Sequence, residues 1–242
     1  MRLLFIRHAD PDYQNDSLTE VGKNEANALA EFLSKEEIDA IFVSPLGRAR
    51  ETLEAYLQFS KTPIKPIVKD WLREFNANTP HDATHSAWDF LPSTLEEAGE
   101  EAYSPNTFLT SIAAYRNSDF KEKYDKVASH IDELLSTFGY LREKHHYKVK
   151  EENTKTIAFF CHFGVEAMML SHLINSSPIT LCQYFCALPS SVTTVYTEER
   201  RKGIAQFRIS EFGSVSHLLL KGMKPSFSAR FSETYSDPRR HD

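Results

Sequence analysis

Leu3-Leu4-Phe5-Ile6-Arg7-His8, residues 3–8, is the stretch that decides the fold: four apolar residues run without a break and stop at a charged pair. A short continuous apolar run is typical of a β-strand that is buried on both faces. Arg7 and His8 would stand where that strand ends. The first candidates for a functional site therefore follow a buried strand.

The same order of a buried strand and then a helix recurs along the chain. After the first strand, apolar residues return at helical spacing from Thr19, whose side chain can cap a helix. Further strands are predicted at 38–43 and 156–160, with helices at 47–57 and 164–175. The last of these strands ends at Cys161 and His162, so it repeats the first unit.

Buried strands that alternate with helices predict an α/β fold. We expect a three-layer sandwich, with a mainly parallel central sheet and helices on both faces. Ligands bind beyond the carboxyl ends of the strands in such sheets. The residues that follow strand ends here are Arg7, His8, Arg48 and His162. The sequence therefore predicts two histidines and two arginines on one rim.

The remaining segments have weaker patterns. Pro66 lies inside a strand candidate at 64–68, which favours the edge of the sheet. The other segments are predicted as a helix at 120–140, a polar surface loop at 144–155 and paired strands at 192–196 and 204–209.

Residues 76–117 mix Pro, Ser, Thr and Gly with aromatic residues and show no sustained period. Long excursions of this kind in compact domains tend to be lids or binding loops. We therefore expect residues 1–242 to form a single domain that carries 76–117 as a lid insertion. As parts of a lid, Trp88, Phe90 and Tyr103 would affect the choice of ligand more than the stability of the protein.

The composition excludes some classes of protein. A net charge of −6 argues against a general nucleic-acid binder or a protein of acidic membranes. Arg7 and His8 interrupt the N-terminal apolar run before it reaches the length of a secretion signal, and no apolar stretch approaches the roughly 20 residues that span a bilayer. Three cysteines lack the spacing of a disulfide framework or a zinc cluster. We expect a soluble, cytoplasmic protein.

The residues on the predicted rim suit attack on a phosphate ester, which needs a nucleophile, cations and an acid for the departing oxygen. A neutral imidazole can be the nucleophile, and the planar donors of arginine match phosphate oxygens. Arg7, Arg48 and a protonated His162 would supply the positive charge, so we expect neither a metal nor another cofactor. The other histidines, His81 and His85 included, offer no helix-borne ligand motif with a carboxylate.

Arg7-His8-Ala9 resembles the arginine-histidine-glycine signature of the histidine phosphatase superfamily, in its phosphoglycerate mutase-like branch. Four further blocks agree with this family in their order and extend the resemblance to about residue 175. The blocks are Leu18-Thr19-Glu20-Val21-Gly22, Ser44 to Thr52, Leu72-Arg73-Glu74 and His162-Phe163-Gly164.

The resemblance implies a role for each matching residue. His8 would be the histidine that is phosphorylated, and Glu74 would donate a proton to the leaving group. Arg7, Arg48 and His162 would bind the phosphate. The catalytic set would then be His8, Glu74 and His162, without a metal or a cofactor.

Three departures from the family pattern bear on the site. Ala9 and Phe163 each replace a glycine that the family usually has. The alanine is harmless unless the position needs a positive φ, and the phenylalanine ring must point away from the phosphate. Asp10 stands where the family commonly has glutamate, so it is a rival to Glu74 as the acid. The usual asparagine contact is not assigned to any one residue within 13–15.

Two residues beside the predicted site have simpler interpretations. Arg50 is expected on a helix surface, because residues two positions apart cannot share a helix face with Arg48. Cys161 is expected to be a small buried hydrophobe rather than a nucleophile, because neighbouring side chains on a strand face opposite ways.

The leading hypothesis is a phosphatase that hydrolyses a phosphate monoester through a phosphohistidine on His8. The alternatives are a phosphoglycerate mutase-like phosphotransferase and a phospho-ligand sensor without turnover, although the presence of both His8 and Glu74 argues against the sensor. The expected partner is a small phosphorylated substrate, with a phosphoprotein as a second option, and no nucleic acid or membrane. Specificity would come from 76–117 and from the tail after Gly222, where Phe227, Arg230 and Phe231 cluster.

Overall fold

The computed structural model describes residues 1–61, 64–79 and 87–226, together with Thr234 and Ser236. The strands are β1 (Arg2–Arg7), β2 (Pro11–Asp12), β3 (Ser17–Leu18), β4 (Ala40–Val43), β5 (Ile67–Val68), β6 (Tyr140–Glu143), β7 (His146–Val149), β8 (Thr156–Cys161), β9 (Val192–Arg201) and β10 (Ile204–Ser214). The helices are α1 (Glu20–Leu33), α2 (Gly47–Phe59), α3 (Pro92–Ala98), α4 (Phe108–Ser111), α5 (Phe120–Thr137), α6 (Phe163–Ile174), α7 (Pro178–Tyr184) and α8 (Ser216–Leu220).

The central sheet has eight strands in the order β5-β4-β8-β1-β9-β10-β7-β6, and β2 and β3 form a separate ribbon. Neighbouring strands from β5 to β1 are parallel. From β1 onwards each neighbour is antiparallel. The predicted α/β fold is confirmed, and the parallel half of the sheet contains the three strands that lead to the predicted rim.

Helices cover both faces of the sheet because its central strands are apolar on both. Leu4 and Ile6 of β1 pack with α1 and α2 in one cluster. Leu3 and Phe5, which alternate with them, pack with α5 and α6 in the larger cluster on the other face. Alternation along β1 therefore supplies both cores, as expected for a strand inside a three-layer sandwich.

Local sequence signals set the ends of two helices. Thr19 caps α1, since its hydroxyl accepts a hydrogen bond from the Gly22 N–H at 3.0 Å. Asn175 ends α6 in the left-handed region at φ 57°. The predicted cap at Thr19 is confirmed, and within the described residues every helix is too short or too polar to cross a bilayer.

The prediction of a surface loop at 144–155 is wrong for residues 146–149, which form β7, and the preceding helix does not extend to residue 140. Helix α5 ends at Thr137, and β6 and β7 form a hairpin that adds two strands to the sheet. Lys144 turns the hairpin at φ 55°, and Tyr147, only 1% exposed, packs edge-to-face on Phe207. One buried tyrosine among polar residues is too weak a pattern to mark a strand, so tertiary packing decided this segment.

The predicted strand at 64–68 is present but shorter than predicted. Only Ile67 and Val68 pair with the sheet, and they lie at its edge beside β4. Pro66 explains both features, because proline cannot donate to a strand ladder and is therefore confined to edges or strand starts.

Part of the segment 76–117 belongs to the core. Phe90, which is 6% exposed, packs edge-to-face on Tyr115 with ring centroids 5.4 Å apart, and Tyr115 stacks on Phe120 at 3.9 Å. Tyr103 is 36% exposed and shares a hydrogen bond of 2.8 Å with the Tyr184 hydroxyl. The aromatic residues of this segment therefore divide into a buried group and an exposed group.

Helix α6 is buried on almost all sides and yet carries a carboxyl group, that of Glu166, which is 1% exposed. Burial raises the pKa of Glu166 to about 8. The positive charge of Arg7 opposes this shift, and the negative charge of Glu74 adds to it. Glu166 is therefore largely protonated in the folded protein at neutral pH.

Phe90→Ala is expected to lower the free energy of unfolding by about 3–5 kcal/mol, the usual effect of removing a buried phenylalanine. Tyr103→Ala, a control in the same segment, should cost about 1 kcal/mol or less, because its ring is partly in solvent and only one hydrogen bond is lost. Urea denaturation of both variants measures the difference. Equal unfolding midpoints for the two variants would contradict the assignment of Phe90 to the core.

Glu166→Gln is expected to make the stability of the protein less sensitive to a rise in pH between about 4.5 and about 8. The folded state holds the Glu166 proton up to about pH 8, whereas the unfolded chain releases it near the ordinary value for glutamate. The native protein should therefore lose stability relative to the glutamine variant as pH rises through this window, by on the order of 4 kcal/mol at most. Unfolding curves at pH 5, 6.5 and 8 measure the difference in stability between the two proteins. Parallel pH profiles of stability would contradict the raised pKa of Glu166.

Candidate active site

Three neighbouring parallel strands bring the predicted residues to one edge of the sheet. The backbone N–H of His8 donates to the Cys161 carbonyl at 3.0 Å, and the Ser44 N–H donates to the Phe160 carbonyl at 2.9 Å. The residues just beyond β1, β4 and β8 are therefore aligned side by side. The expectation that the two histidines share a rim is confirmed, since the ring centroids of His8 and His162 are 5.1 Å apart.

His8 is 1% exposed and has a defined tautomer. Its Nδ1 lies 2.8 Å from the Ala9 carbonyl oxygen, which can only accept, so Nδ1 carries the proton. Nε2 is buried without a hydrogen-bond partner among the described residues. Burial, followed by the charges of Arg7 and Arg48, lowers the pKa of His8 well below its ordinary value. The ring is therefore neutral and keeps a free lone pair on Nε2.

His162 is also fully buried, and its Nε2 shares a hydrogen bond of 2.8 Å with the Ser44 hydroxyl. Burial lowers the pKa of His162 well below its ordinary value, and the neighbouring His8, Arg48 and Arg7 lower it further. The sequence predicted a protonated His162, but the ring is neutral in the protein without a bound anion. Burial is the main reason, and the nearby cations add to it.

Two guanidinium groups flank the histidines. Arg7, 4% exposed, donates from one terminal nitrogen to the Ala187 carbonyl. Arg48, 8% exposed, forms an ion pair of 2.7 Å with Asp16 and lies over the Tyr13 ring at 5.3 Å. The Nε atoms of both arginines lack partners within the described part of the chain. Each arginine is thus held through one terminal nitrogen, while its Nε–H donor has no partner among the described residues.

Asp16 is a site residue that sequence reasoning missed. Besides pairing with Arg48, its carboxylate accepts the Gly47 N–H at 2.7 Å, at the start of α2. Gly47 must lack a side chain, because a methyl group there would lie 2.0 Å from the Asp16 carbonyl oxygen. No sequence motif marked Asp16, whereas Ser44 lies in a block that was recognised without a role being given to it.

Glu74 lies in the loop after β5, and a backbone N–H holds its carboxyl group in place. Its Oε1 accepts the Phe75 N–H at 2.8 Å, and a methyl group on Gly164 would lie 2.6 Å from the same oxygen. Burial raises the pKa of Glu74, although the charge of Arg7 partly opposes the shift. A carboxyl group that tends to hold its proton therefore lies beside the cationic pocket.

Asp10, the rival acid, is engaged in the framework. Its carboxylate accepts the Thr19 hydroxyl at 2.6 Å, and its N–H donates to the buried Glu25 at 3.0 Å. A methyl group on Gly22 would lie 2.2 Å from the Asp10 carbonyl oxygen, so this glycine lets α1 approach the loop after β1. The contacts of Asp10 connect that loop to the start of α1.

The two replacements of glycine fit the pocket. Ala9 is not among the described residues with positive φ, and its N–H donates to the Thr52 hydroxyl at 3.0 Å. Phe163 is 7% exposed, and its ring packs edge-to-face on Trp88 with centroids 5.4 Å apart. Both expectations for these positions are consistent with the structure.

The simpler interpretations of Cys161 and Arg50 are confirmed. Cys161 is fully buried in the core, and burial raises the pKa of its thiol well above the ordinary value. Arg50 is exposed on α2. His81, His85 and the tail cluster of Phe227, Arg230 and Phe231 lie outside the described residues.

Solved structures of similar proteins share this fold. The structure of a phosphoserine phosphatase mutant from Entamoeba histolytica, in complex with phosphoserine, matches with a TM-score of 0.59 at 17% identity, covering 90% of this chain and 98% of that chain. A mycobacterial glucosyl-3-phosphoglycerate phosphatase matches with a TM-score of 0.60 at 18% identity, covering 88% and 98%.

A sequence relative named "Probable phosphatase", from Schizosaccharomyces pombe, is 25% identical over an alignment 236 residues long, which covers 90% of this chain and 95% of that protein. The family model described as "Histidine phosphatase superfamily (branch 1)" matches residues 3–210. This match spans β1 through most of β10, including every strand end that forms the pocket. The chain belongs to the histidine phosphatase superfamily, in its branch 1.

Proposed function

We propose that this protein is a phosphatase that hydrolyses phosphate monoesters through a covalent phosphohistidine on His8. The observation that carries this proposal is the state of the His8 ring. Nδ1 is committed to the Ala9 carbonyl, while Nε2 is unpartnered and lies in a pocket with two arginines. A neutral imidazole with an available lone pair, held among cations, is suited to attack phosphorus.

In the first half of the reaction, Nε2 of His8 forms a bond to phosphorus as the ester P–O bond breaks. Arg7 and Arg48 neutralise the charge on the phosphoryl oxygens, and their unused Nε donors support this role. The departing alkoxide takes the proton of Glu74 and leaves as an alcohol. The raised pKa of Glu74 supports its role as the acid at neutral pH.

His162 would gain a proton when the substrate binds. Burial and, after it, nearby positive charge lower the pKa of His162 in the free protein, and a phosphate dianion bound beside the ring would counteract the charge of Arg7 and Arg48. The protonated ring then donates to a phosphoryl oxygen, while Ser44 keeps its orientation through Nε2. His162 is thus proposed both as a phosphate ligand and as a catalytic residue.

In the second half, water attacks the phosphorus of the phosphohistidine. Glu74, now a carboxylate, takes a proton from this water, and the N–P bond breaks. Inorganic phosphate is released, His8 recovers its lone pair, and Glu74 is protonated for the next cycle. In the net reaction, a phosphate monoester and water are converted to an alcohol and inorganic phosphate.

The proposed substrates are small phosphorylated molecules, although a phosphoprotein would present the same group. The relatives support a small substrate, since their names include phosphoserine phosphatase and glucosyl-3-phosphoglycerate phosphatase. The proposed mechanism uses no metal. Among the described residues there is no group of three His, Cys, Asp or Glu side chains arranged to bind an ion.

The protein is expected to release phosphate from 4-nitrophenyl phosphate and from simple alkyl phosphates in the presence of a strong chelator. Vanadate, which can mimic the five-coordinate phosphorus of the transition state, should inhibit it. His8→Ala should abolish turnover, whereas the same change at the exposed His145 should leave it intact. Activity that the chelator removes and zinc or magnesium restores would overturn metal independence, and an isomerised ester without free phosphate would indicate a mutase.

Glu74→Gln is expected to slow alkyl phosphates by about 10²–10⁴-fold, because an alkoxide needs a proton to leave. Aryl phosphates should still phosphorylate His8, since a phenolate departs without help, and the phosphoenzyme should then accumulate. Rapid-quench kinetics with acid-labile phosphate detection measures both effects. Asp10→Asn is the comparison: if it shows the two effects and Glu74→Gln shows neither, the acid is Asp10.

A further inference from the structure

Trp88 is fixed from two sides at the opening of α6. Its ring packs edge-to-face on Phe163 with centroids 5.4 Å apart, and its backbone carbonyl accepts a hydrogen bond from the Gln183 amide on α7. Neither contact uses the indole N–H. The orientation of the indole is therefore set by packing and by the backbone, while its one polar atom stays available.

The indole Nε1 of Trp88 is buried and has no hydrogen-bond partner among the described residues. Buried donors in native proteins nearly always have a partner, because an unmet donor loses its hydration without compensation. A free donor in a pocket that binds ligands is therefore an indication that the ligand supplies the acceptor.

Gly164 shows where this donor lies relative to the proposed acid. A methyl group on Gly164 would be 2.7 Å from Trp88 Nε1 and 2.6 Å from Glu74 Oε1, so the two atoms converge on one point. Oε1 already accepts the Phe75 N–H at 2.8 Å. The indole N–H thus adjoins the carboxyl group that is proposed as the acid. If Glu74 protonates the leaving oxygen, a donor that adjoins Glu74 also adjoins the alcohol part bonded to that oxygen.

We propose that Trp88 Nε1 donates a hydrogen bond to the alcohol part of the substrate, and that the preferred substrates are phosphate monoesters with an oxygen acceptor on the carbon next to the ester carbon. This inference rests on the proposed phosphatase function. It makes Trp88 a specificity-determining residue, since a site that hydrogen-bonds a substrate group discriminates against the analogue that lacks it.

The test compares 2-hydroxyethyl phosphate with propyl phosphate, which have the same shape and differ by one hydroxyl group. The native protein should prefer the hydroxyethyl ester in kcat/KM, and Trp88→Phe should reduce this preference by about 3–10-fold, the effect of one neutral hydrogen bond. Trp71→Phe is the matched control, because Trp71 stacks on His130 at 5.7 Å and makes a separate contact. It should keep the native preference.

Equal slowing of both esters in Trp88→Phe would overturn the proposal, because it would mean that the indole serves Glu74 or the packing instead of the substrate. An unchanged preference would overturn it as well. If all these proteins fail to hydrolyse even 4-nitrophenyl phosphate, the proposed function is at fault. If they hydrolyse it and the preference does not change, only the assignment of Trp88 is wrong.

A binding measurement tests the same contact without turnover and with the indole in place. In ¹⁵N-labelled His8→Ala protein, the Trp88 indole proton resonance should move downfield on addition of 2-hydroxyethyl phosphate but not on addition of propyl phosphate. The Trp71 resonance should stay fixed with both, and the two tryptophan variants assign the signals. The same shift with both esters, or no shift with either, contradicts the proposed hydrogen bond.

Discussion

The site depends on the parallel register of β1 and β8. Arg7 lies opposite Cys161 in this register, and the His8 N–H continues it by donating to the Cys161 carbonyl. Two imidazoles that are more than 150 residues apart in the sequence are thereby held 5.1 Å from each other. A slip by one residue would turn every side chain of β1 to the opposite face and would dismantle both the pocket and the two cores.

Burial sets the protonation states in the pocket, and it acts in opposite directions on its acids and bases. It lowers the pKa of His8 and His162 and raises that of Glu74, because desolvation disfavours whichever form is charged. Arg7 and Arg48 remain as the charged groups. The pocket therefore combines two histidines with lowered pKa values, a carboxyl group with a raised pKa and two arginine cations.

The segment after β5 contains both a core residue and a residue that lies beside the pocket. Phe90 lies in the larger core, whereas Trp88, two residues earlier, packs against Phe163, and its buried N–H lies near Glu74 without a partner among the described residues. The burial of Phe90 thus anchors the backbone that carries Trp88. A donor that packing already holds in place costs less conformational entropy on binding a ligand than a donor on a mobile loop.

The sequence by itself determined the α/β fold, the cap at Thr19 and the identity of the rim, because continuous apolar runs and the residues that end them are local signals. It also determined the family, through motifs at those strand ends. Only the tertiary structure decided the anchoring of Arg48 by Asp16, the β6–β7 hairpin and the convergence of Trp88 with Glu74 on Gly164. Each of these depends on contacts between segments that are distant in the sequence. Such contacts produce no local periodic pattern of residues from which they could be predicted.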